Sequence, residues 1–222
     1  MSNRDIIVAG DVHGCFGRFN QFINKKHPKI VLQCGDWGFW PRADQRAAWE
    51  IGHPEPSPKV GETKVYWCDG NHEDHQCLLR RSTNELWKNV FYMKRGSTLG
   101  LPDGRVVMFF GGADSYDKNQ RKPGWNWFSE EMITEQDMED LPDVKVDIVI
   151  SHTCPMEFDV YAPIPDKMND ECRSYLSRLL ERYKPSRWYF GHWHKYKAGE
   201  YGGCKWTGLS MLGRTDWWKY LE

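Results

Sequence analysis

Short apolar runs alternate with amphipathic stretches along most of the chain. Buried strands are predicted at 5–10, 29–35, 63–70, 147–152 and 187–194, where β-branched and other apolar residues cluster. Helices are predicted at 16–26, 74–88 and 170–184, where apolar residues recur every three or four positions. Strands that alternate with helices indicate an α/β protein built from layers of sheet and helix.

Two hairpins are predicted in the second half of the chain. The first joins runs at 90–101 and 105–112 through the turn sequence Pro102-Asp103-Gly104. The second covers 196–212 near the end of the chain. Hairpins beside strands of the buried, parallel type favour a mixed sheet or two stacked sheets.

The length of 222 residues suits one large domain or two small ones. The Pro-rich stretch 52–61 is interpreted as an exposed loop and not as a linker between domains. We therefore predict a single domain that covers residues 1–222.

The charge balance argues against binding to polyanions or membranes, and the cysteine content indicates the cellular compartment. Thirty basic and 31 acidic side chains give a net charge of −1, which offers no attraction to long polyanions or anionic membranes. No apolar run is long enough for a signal peptide or a membrane span. Seven cysteines without a C-x-x-C pair favour free thiols in a reducing compartment. We therefore predict a cytoplasmic protein that does not bind membranes.

Polar side chains follow five of the predicted strands at the point where each strand ends. They are Asp11, His13, Asp36, Asn71, His152, His192 and His194. Gly stands just before the polar residue in four of the five cases, which suits tight turns and a close approach of the backbone. The carboxyl ends of the strands in layered α/β folds gather at one edge, where ligands bind. We expect these seven side chains to lie close together.

These side chains supply oxygen and imidazole ligands and no thiolate. Seven ligands are too many for one ion, but two neighbouring ions can share them if one carboxylate bridges both. Mixed nitrogen and oxygen ligands suit Mn, Fe, Zn, Co or Ni better than Mg or Ca. The pattern therefore predicts two divalent metal ions, with Mn or one of Fe, Zn and Ni as the best candidates.

The ordered motifs D-x-H-G, G-D, G-N-H-E, a single His after a strand and G-H-x-H resemble those of calcineurin-like metallophosphoesterases. The resemblance runs from Asp11 to His194. It implies a four-layer sandwich of two mixed β-sheets flanked by helices, with a dinuclear metal centre at the strand ends. It assigns Asp11, His13 and His194 to one metal, Asn71, His152 and His192 to the other, and Asp36 to the bridge between them. It assigns His72 to catalysis without metal binding.

The resemblance implies a hydrolase that cleaves a phosphodiester or phosphomonoester with a metal-activated water. The block "CGDWGFWPR" departs from the G-D-x-V-D-R-G of Ser/Thr protein phosphatases, because the aligned Arg is missing. Arg42 could replace it, as could Arg121 in the basic segment 114–127. A protein phosphatase, a DNA nuclease of the same superfamily and a metal-binding scaffold without activity are the alternatives.

Aromatic residues flank several of the candidate ligands. Trp37, Trp40 and Trp193 could stack on a nucleobase, although packing in the core is the simpler interpretation. With the near-zero net charge, they favour a small phosphoester or nucleotide-like substrate over polymeric nucleic acid. Arg42 and Trp40 are the predicted substrate contacts.

Overall fold

Two mixed sheets of six strands each, flanked by helices, form the protein. The computed structural model describes residues 5–42, 57–139, 141–160 and 170–222. The first sheet contains β1 (Ile6–Ala9), β2 (Ile30–Gln33), β3 (Lys64–Trp67), β4 (Glu85–Trp87), β5 (Val90–Tyr92) and β12 (Trp218–Tyr220). The second contains β6 (Thr98–Gly100), β7 (Val106–Phe110), β8 (Ile148–Ser151), β9 (Arg187–Phe190), β10 (Lys197–Tyr201) and β11 (Cys204–Gly208). The described α-helices are Phe16–Lys26, His75–Leu79, Glu135–Glu139 and Glu171–Tyr183.

Both sheets have parallel strands in the middle and an antiparallel strand at each edge. The strand orders are β12-β1-β2-β3-β5-β4 and β10-β11-β9-β8-β7-β6. Parallel pairing runs through β1, β2, β3 and β5 in one sheet and through β11, β9, β8 and β7 in the other. The carboxyl ends of β1, β2 and β3 therefore lie at one edge of the first sheet, and those of β8 and β9 share an edge of the second.

Three apolar cores separate the four layers. In β1, Ile6 and Val8 point into the core between the two sheets, while Ile7 and Ala9 point toward the helix Phe16–Lys26. All four side chains are buried, as expected for a strand covered on both faces. The observed arrangement confirms the predicted four-layer sandwich.

The helix Glu171–Tyr183 covers the outer face of the second sheet. Leu176 and Leu179 are buried on it in the same core as Val149 of β8. The helix begins after Asp170, whose carboxylate accepts a hydrogen bond from the backbone N–H of Arg173. Sequence periodicity predicted this helix, and also Phe16–Lys26, to within a residue or two.

The predicted helix at 74–88 is wrong in its second half. The helix covers only His75–Leu79, and the chain then forms β4, which pairs antiparallel with β5. Residues 80–84 are polar and exposed, so they offer no apolar face that would hold a longer helix. Asn89 adopts a left-handed φ of 63°, which closes the tight turn between the two strands.

Two further segments differ from the expectation. The final strand β12 was not predicted, because its three half-buried residues show no alternation of apolar and polar positions. It pairs antiparallel with β1. The stretch 52–61 is described from residue 57 onward, and the exposed-loop interpretation is wrong for Val60, which is buried in the core outside the first sheet.

The two predicted hairpins are present. β6 and β7 pair antiparallel around the turn that contains Gly104, and β10 and β11 pair around Gly202 and Gly203. The apolar run at 90–101 is divided, however, because β5 belongs to the first sheet and β6 to the second. This segment therefore carries the chain from one sheet to the other.

All seven cysteines are free thiols, as predicted, and five of them are buried. Within the described part of the chain, every helix is too short or too polar to cross a lipid bilayer.

Burial of leucine on the outer helix predicts a difference between two Leu→Ala variants. Leu176 is 0% exposed, whereas Leu79 is 52% exposed. We expect Leu176→Ala to lower the free energy of unfolding by about 2–5 kcal/mol through lost burial and a residual cavity. Leu79→Ala is the matched control and should cost less than about 1 kcal/mol. Denaturant unfolding measures both, and equal losses would contradict the layer assignment.

Candidate metal centre

Four of the predicted ligands form one compact group at the strand ends. One ligand atom from each of Asp11, His13, Asp36 and His194 lies within 4.8 Å of all the others. The Nε2 atoms of His13 and His194 are 2.9 Å apart, and Nε2 of His194 is also 2.9 Å from Oδ2 of Asp11. These residues follow β1, β2 and β9, so the group draws on both sheets.

The other three predicted ligands form a second group beside the first. Oδ1 of Asn71 lies 2.9 Å from Nε2 of His152 and 3.0 Å from Nδ1 of His192. Nε2 of His152 is also 3.4 Å from Oδ1 of Asp36. The structure therefore brings together all seven residues that the sequence proposed as ligands.

Asp36 belongs to both groups through its two carboxylate oxygens. Oδ1 faces His152 of the second group, while Oδ2 lies 3.8 Å from Nε2 of His13 in the first. The side chain is almost completely buried between them. A carboxylate in this position can contact two cations at once.

The orientation of the imidazoles fits a bound cation. Nδ1 of His152 lies 2.8 Å from the carbonyl oxygen of Cys34. Because a carbonyl only accepts, Nδ1 carries the proton, and Nε2 is the atom that faces Asp36 and Asn71. The paired Nε2 atoms of His13 and His194 likewise point at a common centre. Imidazole nitrogen and carboxylate oxygen suit a divalent transition metal, so the residues fit the group that the motifs imply.

The electrostatics of the site also require positive charge. Burial by itself raises the pKa of Asp36, but the protonated His152 outweighs this effect and holds that pKa well below its usual value. Burial lowers the pKa of His152, but the Asp36 carboxylate outweighs it and raises that pKa to about 10. An ionised carboxylate at this depth is stable only beside a cation or a protonated partner.

Four of the seven ligand candidates adopt a left-handed backbone conformation. They are His13, Asp36, His192 and His194, with φ between 49° and 64°. Such φ values are uncommon outside glycine and are often found at functional sites. Here they turn the chain sharply after β1, β2 and β9, so the side chains point back across the strand ends.

Hydrogen bonds lock these loops together. The backbone N–H of His192 donates to Oδ1 of Asp11 at 3.1 Å, which joins the loop after β9 to the loop after β1. A Cβ on Gly191 would lie 2.0 Å from that same carboxylate oxygen, and a Cβ on Gly70 would lie 2.1 Å from Oδ1 of Asp36. Only glycine allows the backbone to approach the carboxylates this closely.

Glu73 connects the two loops that follow β2 and β3. Its buried carboxylate accepts hydrogen bonds from the backbone N–H groups of Gly38 and Gly70, at 3.1 and 2.6 Å. Burial, with the nearby Asp36, raises the pKa of Glu73 to about 8. Glu73 therefore supports the backbone around Asp36 and Asn71 without facing the ligand groups itself.

His72 lies at the border of the first group, beside the ligands. Its backbone N–H donates to Oδ1 of Asp36 at 2.9 Å, and its Nε2 is 3.9 Å from Oδ2 of the same residue. The Trp40 indole donates to the His72 carbonyl oxygen. Burial, opposed only partly by Asp36, lowers the pKa of His72 to about 4.

Arg121 reaches this site from the loop after β7. Its Nη2 lies 2.9 Å from Nε2 of His72, and Nη1 donates to the carbonyl oxygen of Asn71 at 3.2 Å. Nη2 of Arg121 also forms an ion pair with Oδ1 of Asp117 at 2.8 Å. The Arg121 side chain is only 8% exposed. Because a guanidinium only donates, Nε2 of His72 carries its lone pair in this arrangement.

A cavity of about 320 Å³ opens above the ligand groups. It is lined by Asp36, Asn71, His72, Tyr116, Asp117, Arg121, His192, Trp193 and His194. Arg121, which the sequence suggested as one of two replacements for the missing Arg, lines this cavity, whereas the other, Arg42, does not.

The predicted substrate contacts Arg42 and Trp40 are not among the residues that line this cavity. Arg42 pairs with Asp74 at 3.0 Å and donates to the carbonyl oxygen of Gly124. Trp40 packs against Gly14. Their role in substrate binding stays a prediction. Trp37 is buried in the core outside the first sheet, which confirms packing as its role.

Comparison with known proteins agrees with this geometry. Residues 5–196 match the calcineurin-like phosphoesterase family, and the chain belongs to that family. The family membership and the cluster of Asp and His residues define a metallophosphoesterase with a possible metal-binding site. No curated protein matches the chain in a sequence comparison.

Solved structures with low sequence identity share the fold. One is phosphopantetheinyl hydrolase from Mycobacterium tuberculosis, with a TM-score of 0.51, 13% identity, and coverage of 97% of this chain and 95% of that one. Another is GAP50, the anchor in the inner membrane complex of Plasmodium, with a TM-score of 0.51, 11% identity, and coverage of 92% and 70%. At such identities the likeness concerns the fold alone.

The close approach at Gly191 predicts a loss of metal from a single added methyl group. In Gly191→Ala, Asp11 must turn away from a Cβ built 2.0 Å from its Oδ1. We expect Mn²⁺ affinity to fall at least about tenfold. Gly100→Ala is the control, because a Cβ there meets nothing within 4 Å. Equilibrium dialysis with Mn²⁺ measures the change, and equal affinity in both variants would contradict the role of Asp11.

Proposed function

We propose that the protein is a hydrolase of small phosphoesters that uses two divalent metal ions. Asp36 carries the proposal, because its two oxygens face two separate ligand groups. Asp11, His13 and His194 hold one ion, Asn71, His152 and His192 hold the other, and Asp36 bridges them. The ligand set favours Mn, Fe, Zn or Ni.

When bound, the ions would lower the pKa of a water molecule that they bind and would neutralise negative charge on the phosphoryl oxygens. The chain's own residues orient the substrate. Arg121 lines the cavity, and its guanidinium can donate two hydrogen bonds to a phosphoryl group. It takes the place of the Arg that is missing after β2. When Arg121 turns its Nη2 donor to the substrate, it frees the lone pair on Nε2 of His72, which can then take up a proton from solvent and donate it to the oxygen of the leaving group.

The cavity supports a small substrate over a polymer. Its volume of about 320 Å³ suits one phosphoryl group and part of a small organic substituent. Tyr116 stands at its wall with 84% of its surface exposed, which suits contact with a planar group of the substrate. Phosphodiesters and phosphomonoesters both fit this description. Residues 1–222 as a single domain and a cytoplasmic location stay predictions from the sequence.

The function is tested by hydrolysis and metal content together. Aryl phosphates, bis-aryl phosphates, cyclic nucleotides and a phosphopantetheinyl conjugate are offered with Mn, Ni, Zn or Fe in separate reactions. We expect hydrolysis with about two metals per chain in the wild-type protein. Asp36→Ala should lose both metals and all turnover, because the bridge serves both ions, whereas His13→Ala should mainly weaken one.

Two outcomes would contradict the proposal in different ways. A wild-type protein saturated with Mn that holds one metal or none by elemental analysis would exclude the dinuclear centre. A protein with two metals that hydrolyses no ester in the panel would instead support the metal-binding scaffold.

His72 and Arg121 are expected to affect turnover differently. His72→Ala should keep both metals and lose about 10²–10⁴-fold in kcat, the usual contribution of a positioned acid or base. The loss should shrink for nitrophenol esters, whose leaving oxygen needs little protonation. Loss of metal from His72→Ala would make it a ligand and contradict its assignment.

Arg121→Ala should mainly raise KM, by about 10- to 150-fold, through the loss of charged hydrogen bonds to the phosphoryl group. The increase should be similar for good and poor leaving groups. Arg178→Ala is the matched control, because Arg178 pairs with Glu135 on the surface and is half exposed. Steady-state kinetics with a series of aryl phosphates separates the two residues.

A further inference from the structure

The Asn71 side chain can serve as a metal ligand in only one of its two orientations. Its oxygen can bind a cation, whereas its NH₂ group can only donate hydrogen bonds. Oδ1 faces His152 and His192, so the correct end points at the second ligand group. A partner for the NH₂ group on the opposite side is needed to hold this orientation.

Ser115 is that partner. Nδ2 of Asn71 donates to Oγ of Ser115 at 2.9 Å, and both residues are buried. A hydroxyl can accept or donate, so Ser115 by itself does not decide which end of the amide it receives. The direction depends on where the Ser115 hydroxyl proton goes.

Glu131 holds Ser115 in place. Oε1 of Glu131 accepts from the backbone N–H of Ser115 at 2.7 Å. Because Oγ of Ser115 accepts from Nδ2 of Asn71, a lone pair of Oγ faces Asn71 and the hydroxyl proton points away from it. Asn71 and Ser115 therefore form a hydrogen-bonded pair with one direction, and Glu131 anchors that pair.

The backbone fixes this pair in place. The N–H of Gly112 donates to the carbonyl oxygen of Asp69 at 3.0 Å, and the N–H of Ala113 donates to that of Glu131 at 3.2 Å. The loop after β7 is thereby held against the loop after β3. Glu131 is completely buried, and burial raises the pKa of its carboxyl group to about 7. Burial of a carboxyl group is costly for the fold, which points to a role other than stability.

We propose that Ser115 and Glu131 are positioning residues that keep the carbonyl oxygen of Asn71, and not its NH₂ group, directed at the second metal ion. The inference rests on the proposed function, because it needs an ion at Asn71. It goes further by assigning a role to two residues outside the ligand set.

The first test is Mn²⁺ binding by the full-length protein, measured by calorimetric titration. Ser115→Ala should weaken one of the two ions by about 10- to 100-fold, the usual effect of losing a partner of a metal ligand, and leave the other unchanged. Glu131→Ala should weaken the same ion. Thr63→Val is the control, because Thr63 also buries a hydroxyl, which donates to Pro28 far from the site. Thermal unfolding without metal verifies that each variant is folded.

A double-mutant comparison distinguishes orientation from general support. In the Asn71→Asp background the side chain has no NH₂ group to be held, so Ser115→Ala should change Mn²⁺ affinity less than about threefold. An equal loss in both backgrounds would overturn the inference. Unchanged Mn²⁺ binding in Ser115→Ala would also overturn the inference. Unchanged Mn²⁺ binding in Glu131→Ala would show that Glu131 is not a positioning residue. Wild-type protein that binds no Mn²⁺ would overturn the proposed function and, with it, this inference.

Discussion

The buried carboxylate of Asp36 is the constraint around which the rest of the site is arranged. A charge at this depth needs compensation, and it receives imidazoles on both sides and a backbone N–H from His72. Each of these partners comes from a different strand end. The loops must therefore converge closely, and the two sheets must present their carboxyl edges side by side.

This convergence explains the unusual backbone of the site. His13, Asp36, His192 and His194 all take left-handed φ values that most residues avoid. The hydrogen bonds between the loops, together with glycines where carboxylates approach the backbone, hold these conformations. The strand cores contribute as well, because each loop leaves from a strand that is buried on both faces. The rigid part of the fold thus stabilises the strained part.

The convergence of the seven candidate ligands could be predicted from the sequence because each follows closely on a recognisable strand. Position along the chain then determines position in space, and the strand order did not need to be known. The helix Glu171–Tyr183 was predictable for a similar local reason. The wrong helix at 74–88 and the unforeseen β12 depend on pairing with distant strands. Ser115 was not singled out, and Arg121 was named only as an alternative to Arg42, because their loop has no periodicity and their partners are some 50 residues away.

The loop after β7 contacts the candidate metal centre mainly through Asn71. Arg121 donates to the carbonyl oxygen of Asn71, and Ser115 accepts from its side-chain NH₂ group. One segment therefore contacts a candidate ligand from behind while its other side chains, among them Tyr116, line the cavity. Changes in Tyr116 can alter the fit of a substrate without touching a ligand, whereas changes in Ser115 reach the ligand directly. Under the proposed function, neighbouring positions of this one loop would determine substrate choice and metal geometry, and the strand ends would carry the chemistry common to both.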